Sequence, residues 1–157
     1  MAEQWLIDGY NLLYALQSQS PKKSSPSRER LLAMVGEFAC FKNTAVLLVL
    51  DGVGDPGELG ACRTSCFEAV YSQKIPADAY IEKHLYENRE KQRLVVVTDD
   101  RAITNIARGC GASVLGTSAF AELLKECKKE GSDFLQKGKS REHGFHRPFE
   151  DKLKDVE

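Results

Sequence analysis

Asp8 and Asn11 stand three residues apart in QWLIDGYNLLYAL (4–16), straight after a short apolar run. Asp51 follows AVLLVL, and Asp99 and Asp100 follow RLVVVT; Asp78 and Glu82 lie one helical turn apart in ADAYIE (77–82). Carboxylates gathered in one place repel each other, so they raise one another's pKa or bind a cation. Oxygen donors of this kind suit Mg²⁺ or Mn²⁺ rather than zinc. An ion held there activates a water and steadies the charge that grows on a phosphodiester during hydrolysis. Asn11, one turn beyond Asp8, is placed to hold that water or the scissile phosphate. The same residues have a plainer use. Asp99 or Asp100 can cap the helix that follows, Asp78 the helix it opens, Asp51 can serve a turn before Gly52, and Glu82 can lie on a wet face. What favours chemistry is the coincidence that three apolar runs end in acids.

The elements around these acids alternate. Trp5–Ile7, Ala45–Leu50, Phe67–Tyr71, Leu94–Val97 and Ser113–Leu115 read as strands, bounded by turn residues or charges. Runs such as AVLLVL and LVVV suit strands covered on both faces. Helices are expected over Asn11–Leu16, Ser27–Phe41, Ala77–Asn88, Arg101–Arg108 and Thr117–Lys129, with Ser27 as a cap. This order predicts an α/β fold, a mostly parallel five-stranded sheet flanked by helices. In such sheets ligands bind beyond the carboxyl ends of the strands, which is the edge the acids mark. Asp51–Cys66 is Gly-rich with no clear helix and reads as a long surface loop.

The totals narrow the field further. A chain of 157 residues, 42% apolar and 29% charged, with a formal charge of −1, is globular and has no global pull on nucleic acid. It begins without a basic leader and contains no apolar span of membrane length, so a cytoplasmic location is the expectation. Cys40, Cys62, Cys66, Cys110 and Cys127 are odd in number and scattered, which points to free thiols. Residues 1–130 read as the domain and 131–157 as a polar, partly basic extension.

The blocks LIDGYN (6–11), ADAYIE (77–82) and VVTDDRAI (96–103), followed by GCGASVLGTSAF, resemble the YacP-like branch of the NYN domains, within the PIN-like ribonuclease superfamily. The resemblance runs from residue 4 to about residue 125. It implies a parallel sheet between helices and a metal-dependent endoribonuclease site. By position, Asp8 and Asn11 match the D-x-x-N block and Asp78 the acid of A-D-x-x-I-E. Asp100 matches the acid of T-x-D; relatives often carry Ser where Asp99 stands, so either aspartate is open as the ligand, with Asp100 preferred. Asp51 matches an acid after the second strand. The resemblance further implies RNA as partner, with mRNA or rRNA and a link to the ribosome compatible with it.

Other signals carry less. GVGDPG (52–57) has the glycine spacing of a dinucleotide loop, but Asp55 puts negative charge where the anion would sit, and Pro56-Gly57 and Gly60 oppose a continuing helix. No dinucleotide cofactor is expected. A phosphatase nucleophile would need a second acid at position 10, which is Tyr. His84, His143 and His146 have no Ser or Cys partner at a readable spacing. Lys22, Lys23, Arg28 and Arg30, in SQSPKKSSPSRER (18–30), could grip an RNA backbone, and Arg101 beside Asp100 could contact a phosphate. The rival to the nuclease is an inactive RNA- or ribosome-binding module on the same fold.

Overall fold

The computed structural model describes residues 3–19, 26–60, 62–88 and 93–127. The chain divides into two compact units, Met1–Leu124 and Lys125–Glu157, and the account below is of the first. Lys22, Lys23 and the extension from 131 lie outside the described residues.

Strand β1 (Glu3–Asp8) leads into α1 (Gly9–Ser18), and α2 (Arg28–Lys42) into β2 (Ala45–Leu50). The short α3 (Pro56–Gly60) precedes β3 (Phe67–Tyr71), α4 (Ala77–Asn88), β4 (Arg93–Val97), α5 (Arg101–Gly109) and β5 (Ser113–Leu115). A sixth helix, α6, begins at residue 117 and is described to residue 127. The sheet order is β3-β2-β1-β4-β5, and every pairing is parallel.

Alternation along the strands splits the core into two layers. Leu6, Leu47, Val49, Leu94 and Val96 pack with Ala77, Ile81 and Leu85 of α4 and with Ile103 and Ala107 of α5. On the other face Trp5 meets Phe38 of α2 and Phe120 of α6, at ring centroid separations of 5.4 and 5.6 Å. The chain therefore crosses from one side of the sheet to the other after β3. In this strand order the connections leave β1 and β4 in opposite directions, which opens a crevice at their carboxyl ends.

One local feature differs from expectation. A helix does form inside the 51–66 loop. Proline is suited to a first helical turn, where its missing N–H costs nothing. Asp55 fixes the turn before it, accepting from Gly57 N at 2.9 Å and Glu58 N through its backbone oxygen at 2.9 Å. Cys40, Cys62, Cys66 and Cys110 are free thiols. Among the described residues no helix is long and apolar enough to cross a membrane.

Candidate active site

Gly9 explains why an aspartate and a strand-to-helix turn fit together here. A Cβ on Gly9 would stand 2.7 Å from Leu50 Cδ2 and 3.0 Å from the Val49 backbone oxygen. Only glycine lets α1 start directly against β2. The side chain before it, Asp8, is thereby held opposite Val49 in the β1–β2 register, just short of Asp51. Asp8 is the N-cap of α1: Oδ1 accepts from Asn11 N at 3.4 Å, and Oδ2 accepts from Asn11 Nδ2 at 2.9 Å. The Asn11 amide nitrogen is thus directed at Asp8 itself, leaving its carbonyl oxygen as the atom to face a ligand.

Asp51 lies just beyond β2, and its Oδ1 accepts from Ala77 N at 3.0 Å. It caps α4, a helix that starts 26 residues later in the chain. Asp78 does not cap the helix it opens, contrary to the plainer reading of it, because Asp51 fills that place. Asp78 is exposed on the first turn of α4, with Oδ1 accepting from Ala79 N at 2.9 Å. Glu82, a turn further along, is half-buried.

The paired aspartates after β4 divide their tasks. Asp99 accepts from Thr117 N at 3.0 Å and from the Thr117 hydroxyl, so both its oxygens are taken up at the start of α6. Asp100 caps α5, its Oδ1 accepting from Ile103 N at 3.0 Å. Its backbone N–H is fixed by Thr98 Oγ1 at 3.0 Å, and Thr98 is itself buried. Arg101 opens α5 and is exposed.

One group reports that these acids share a field. The Asp8 carboxyl is pushed above the usual aspartate range, first by burial and then by the charges of Asp51, Asp78 and Asp100, with the Asn11 amide pulling the other way. The structure therefore brings together at one rim the acids from the ends of β1, β2 and β4 and the start of α4. The all-oxygen donor set suits a hard divalent cation. Among the described residues, no three acidic, His or Cys side chains stand close enough in this arrangement to ligate one ion together.

Arg28, just inside α2, donates from Nη1 to Tyr71 Oη at 2.6 Å and pairs with Glu29 at 3.4 Å. Sequence reasoning missed Tyr71 because its partner lies 43 residues away. His84 is held by Gln4 at 2.9 Å, and burial pushes its pKa down, which makes it a structural side chain.

The family model for the YacP-like NYN domain matches residues 5–156, running on through the tail that the sequence blocks leave out. Two crystal structures of Rae1 (YacP) from Bacillus subtilis share the fold. One has a TM-score of 0.73 at 20% identity, covering 89% of this chain and 83% of that one. The other, a tryptophan-to-leucine variant, has a TM-score of 0.69 at 20% identity, covering 88% and 84%. Comparison with curated proteins gives no match.

Proposed function

We propose that this chain, which belongs to the YacP-like NYN domain family, is a metal-dependent endoribonuclease that hydrolyses single-stranded RNA. The family is of nuclease type, so the domain is a hydrolase fold; RNA, the metal and internal cleavage are the further reading. The observation that carries it is the placement of Asp8, Asp51, Asp78 and Asp100, from four separate parts of the chain, at the carboxyl edge of the sheet. Carboxylates held near one another disfavour each other's ionisation, and a cation among them relieves that cost.

Asp8, Asp78 and Asp100 would hold Mg²⁺ or Mn²⁺, with Asp51 beside them and Glu82 near. The bound ion supplies an activated water and charge for the scissile phosphate. The chain's own residues do the rest. Asn11 fixes the Asp8 carboxylate through its amide and offers its carbonyl oxygen to water. The caps at α1, α4 and α5 hold three of the carboxylates on rigid helix starts. Asp99 is engaged by Thr117 through both oxygens, which supports Asp100 as the ligand.

The absence, among the described residues, of three acids within reach of one ion favours a second reading, an RNA-binding module without chemistry. One experiment separates the two. Defined single-stranded RNAs are incubated with the protein and Mn²⁺, with Asp8→Asn alongside and with EDTA, and the product ends are mapped. Internal cuts lost in Asp8→Asn and in EDTA support the nuclease. RNA binding with no cuts under any divalent metal supports the module and refutes the nuclease.

A further inference from the structure

The Gly-rich loop after β2 and the aromatic end of β3 take no part in the chemistry above, yet both are built around one side chain. Tyr71 closes β3 on the sheet face that carries α1 and α2, and it is buried to 8% exposure. Gly54 lies flat on its ring: a Cβ there would come within 2.3 Å of Tyr71 Cε2. Helix α3 then brings Glu58, whose Oε2 accepts from the Tyr71 hydroxyl at 3.3 Å. With its proton directed at Glu58, the phenolic oxygen is left to accept, and Arg28 Nη1 donates to it at 2.6 Å. Tyr10, in the first turn of α1, lies near enough to act on the same guanidinium. Gln17 Nε2 donates to Pro26 O at 3.2 Å, and Ser27 caps α2, so the backbone that carries Arg28 is pinned as well.

The guanidinium therefore reaches from the helix start after β1 to the end of β3. These lie on either side of β2, since Leu50 pairs with Tyr71. Asp51, Asp78 and Asp100 belong to the opposite side of the same edge, with α4 and α5, and Asp8 stands between them and Arg28 at the start of α1. We infer that Arg28 is a phosphate clamp for the RNA strand, held by Tyr71 across the carboxyl edge from Asp51, Asp78 and Asp100. The inference rests on the nuclease reading for the identity of the polyanion.

The chemistry supports it in two ways. A guanidinium has five N–H donors in a planar fork, so the bond to Tyr71 leaves donors for a phosphate. The ion pair with exposed Glu29, a sequence neighbour, is weak enough for a phosphate to displace. An arginine already held loses less side-chain freedom when it grips a ligand. The acidic side of the rim repels RNA backbone, so a fixed cation opposite it sets where the strand lies. Tyr71 and Glu58 are positioning residues in this scheme, acting through Arg28.

The test compares the full-length wild type, Tyr71→Phe, Arg28→Ala and the double variant. Cleavage of single-stranded RNA is measured with Mn²⁺, and binding of fluorescein-labelled oligouridine is followed by anisotropy in EDTA over a range of salt. Tyr71→Phe keeps the ring on Gly54 and should raise KM about fivefold, the effect of one hydrogen bond, with kcat within about twofold. Arg28→Ala should raise KM at least as much and lower the salt slope of binding by about 0.7, one phosphate contact on a single strand. The double variant should match Arg28→Ala alone. Unchanged KM and salt slope in Arg28→Ala, or additive losses in the double variant, overturn the clamp. Should Tyr71→Phe melt early, Arg28→Ala at a half-exposed position decides alone. Failure of the two readings is distinguishable: no cleavage by wild type defeats the nuclease, while the EDTA binding arm still decides on Arg28.

Discussion

Gly9→Ala tests the claim that the site is assembled by a close approach of helix to strand. The added methyl would meet Leu50 Cδ2 at 2.7 Å and the Val49 carbonyl oxygen at 3.0 Å. Leu50 is fully buried, and the carbonyl belongs to a strand paired on both sides, so neither yields easily. Overpacking of this kind costs about 1–3 kcal/mol. Alanine recovers less than about 1 kcal/mol of helix propensity, since the position is the first of α1. The net loss is about 1–2 kcal/mol, and for a domain of this size that lowers Tm by roughly 2–8 °C. The strain is relieved by moving α1 off β2, which carries Asp8 and Asn11 away from Asp51. A displacement near 1 Å lowers a position-dependent rate about 10²-fold. Trp5, the single tryptophan, packs between Phe38 and Phe120 and reports unfolding by fluorescence. Gly109→Ala is the control, because nothing lies within 4 Å of its Cβ; its Tm should hold or rise. A Gly9→Ala protein with wild-type Tm and wild-type cleavage would refute the spacer argument.

Four further outcomes follow from the site. Asp8→Asn should abolish cleavage and raise the Tm of metal-free protein at neutral pH, since it removes a carboxylate whose ionisation burial and its neighbours oppose. The sign is set by the raised pKa. The folded state binds more protons than the unfolded one between the ordinary aspartate value and the raised one. Asp8 therefore lowers metal-free stability as pH rises through that window, and Asp8→Asn should remove this part of the slope in urea titrations over pH. Asp99→Ala should cost about 1–2 kcal/mol through the lost cap at Thr117 and still cleave, whereas Asp100→Asn should not cleave; activity in the second but not the first would reverse the assignment. Mn²⁺ should raise the Tm of wild type in a dose-dependent way and leave Asp8→Asn unshifted, read by the same fluorescence melt.

The sheet was legible because its signal is local. AVLLVL and RLVVV can be buried on both faces only as central parallel strands, and β2 and β3 have the expected bounds. The helix at Pro56–Gly60 was not legible, because it depends on the turn that Asp55 fixes and on a proline that looks like a breaker outside its first turn. For the site, sequence could mark the acids but not their partners. That Asp51 caps α4, or that Asp99 serves Thr117, is decided by contacts 26 and 18 residues apart. Tyr71 had no signal of its own: an aromatic at the end of a buried strand reads as core until Arg28 and Glu58 are seen at its hydroxyl.

Asp8, Asp51 and Asp100 each complete a helix start as well as marking the rim. A descendant that stopped cutting RNA would still be penalised in folding for losing Asp51 or Asp100. Selection on stability alone can thus preserve most of the motif long after turnover has gone, and an intact set of aspartates overstates how many relatives remain active. Asp78 is different: it is exposed, and its carboxylate accepts from the next residue's amide rather than closing a helix start. It is the position expected to drift first in a lineage that has become a silent binder, and so the one to inspect when sorting living enzymes from their remnants.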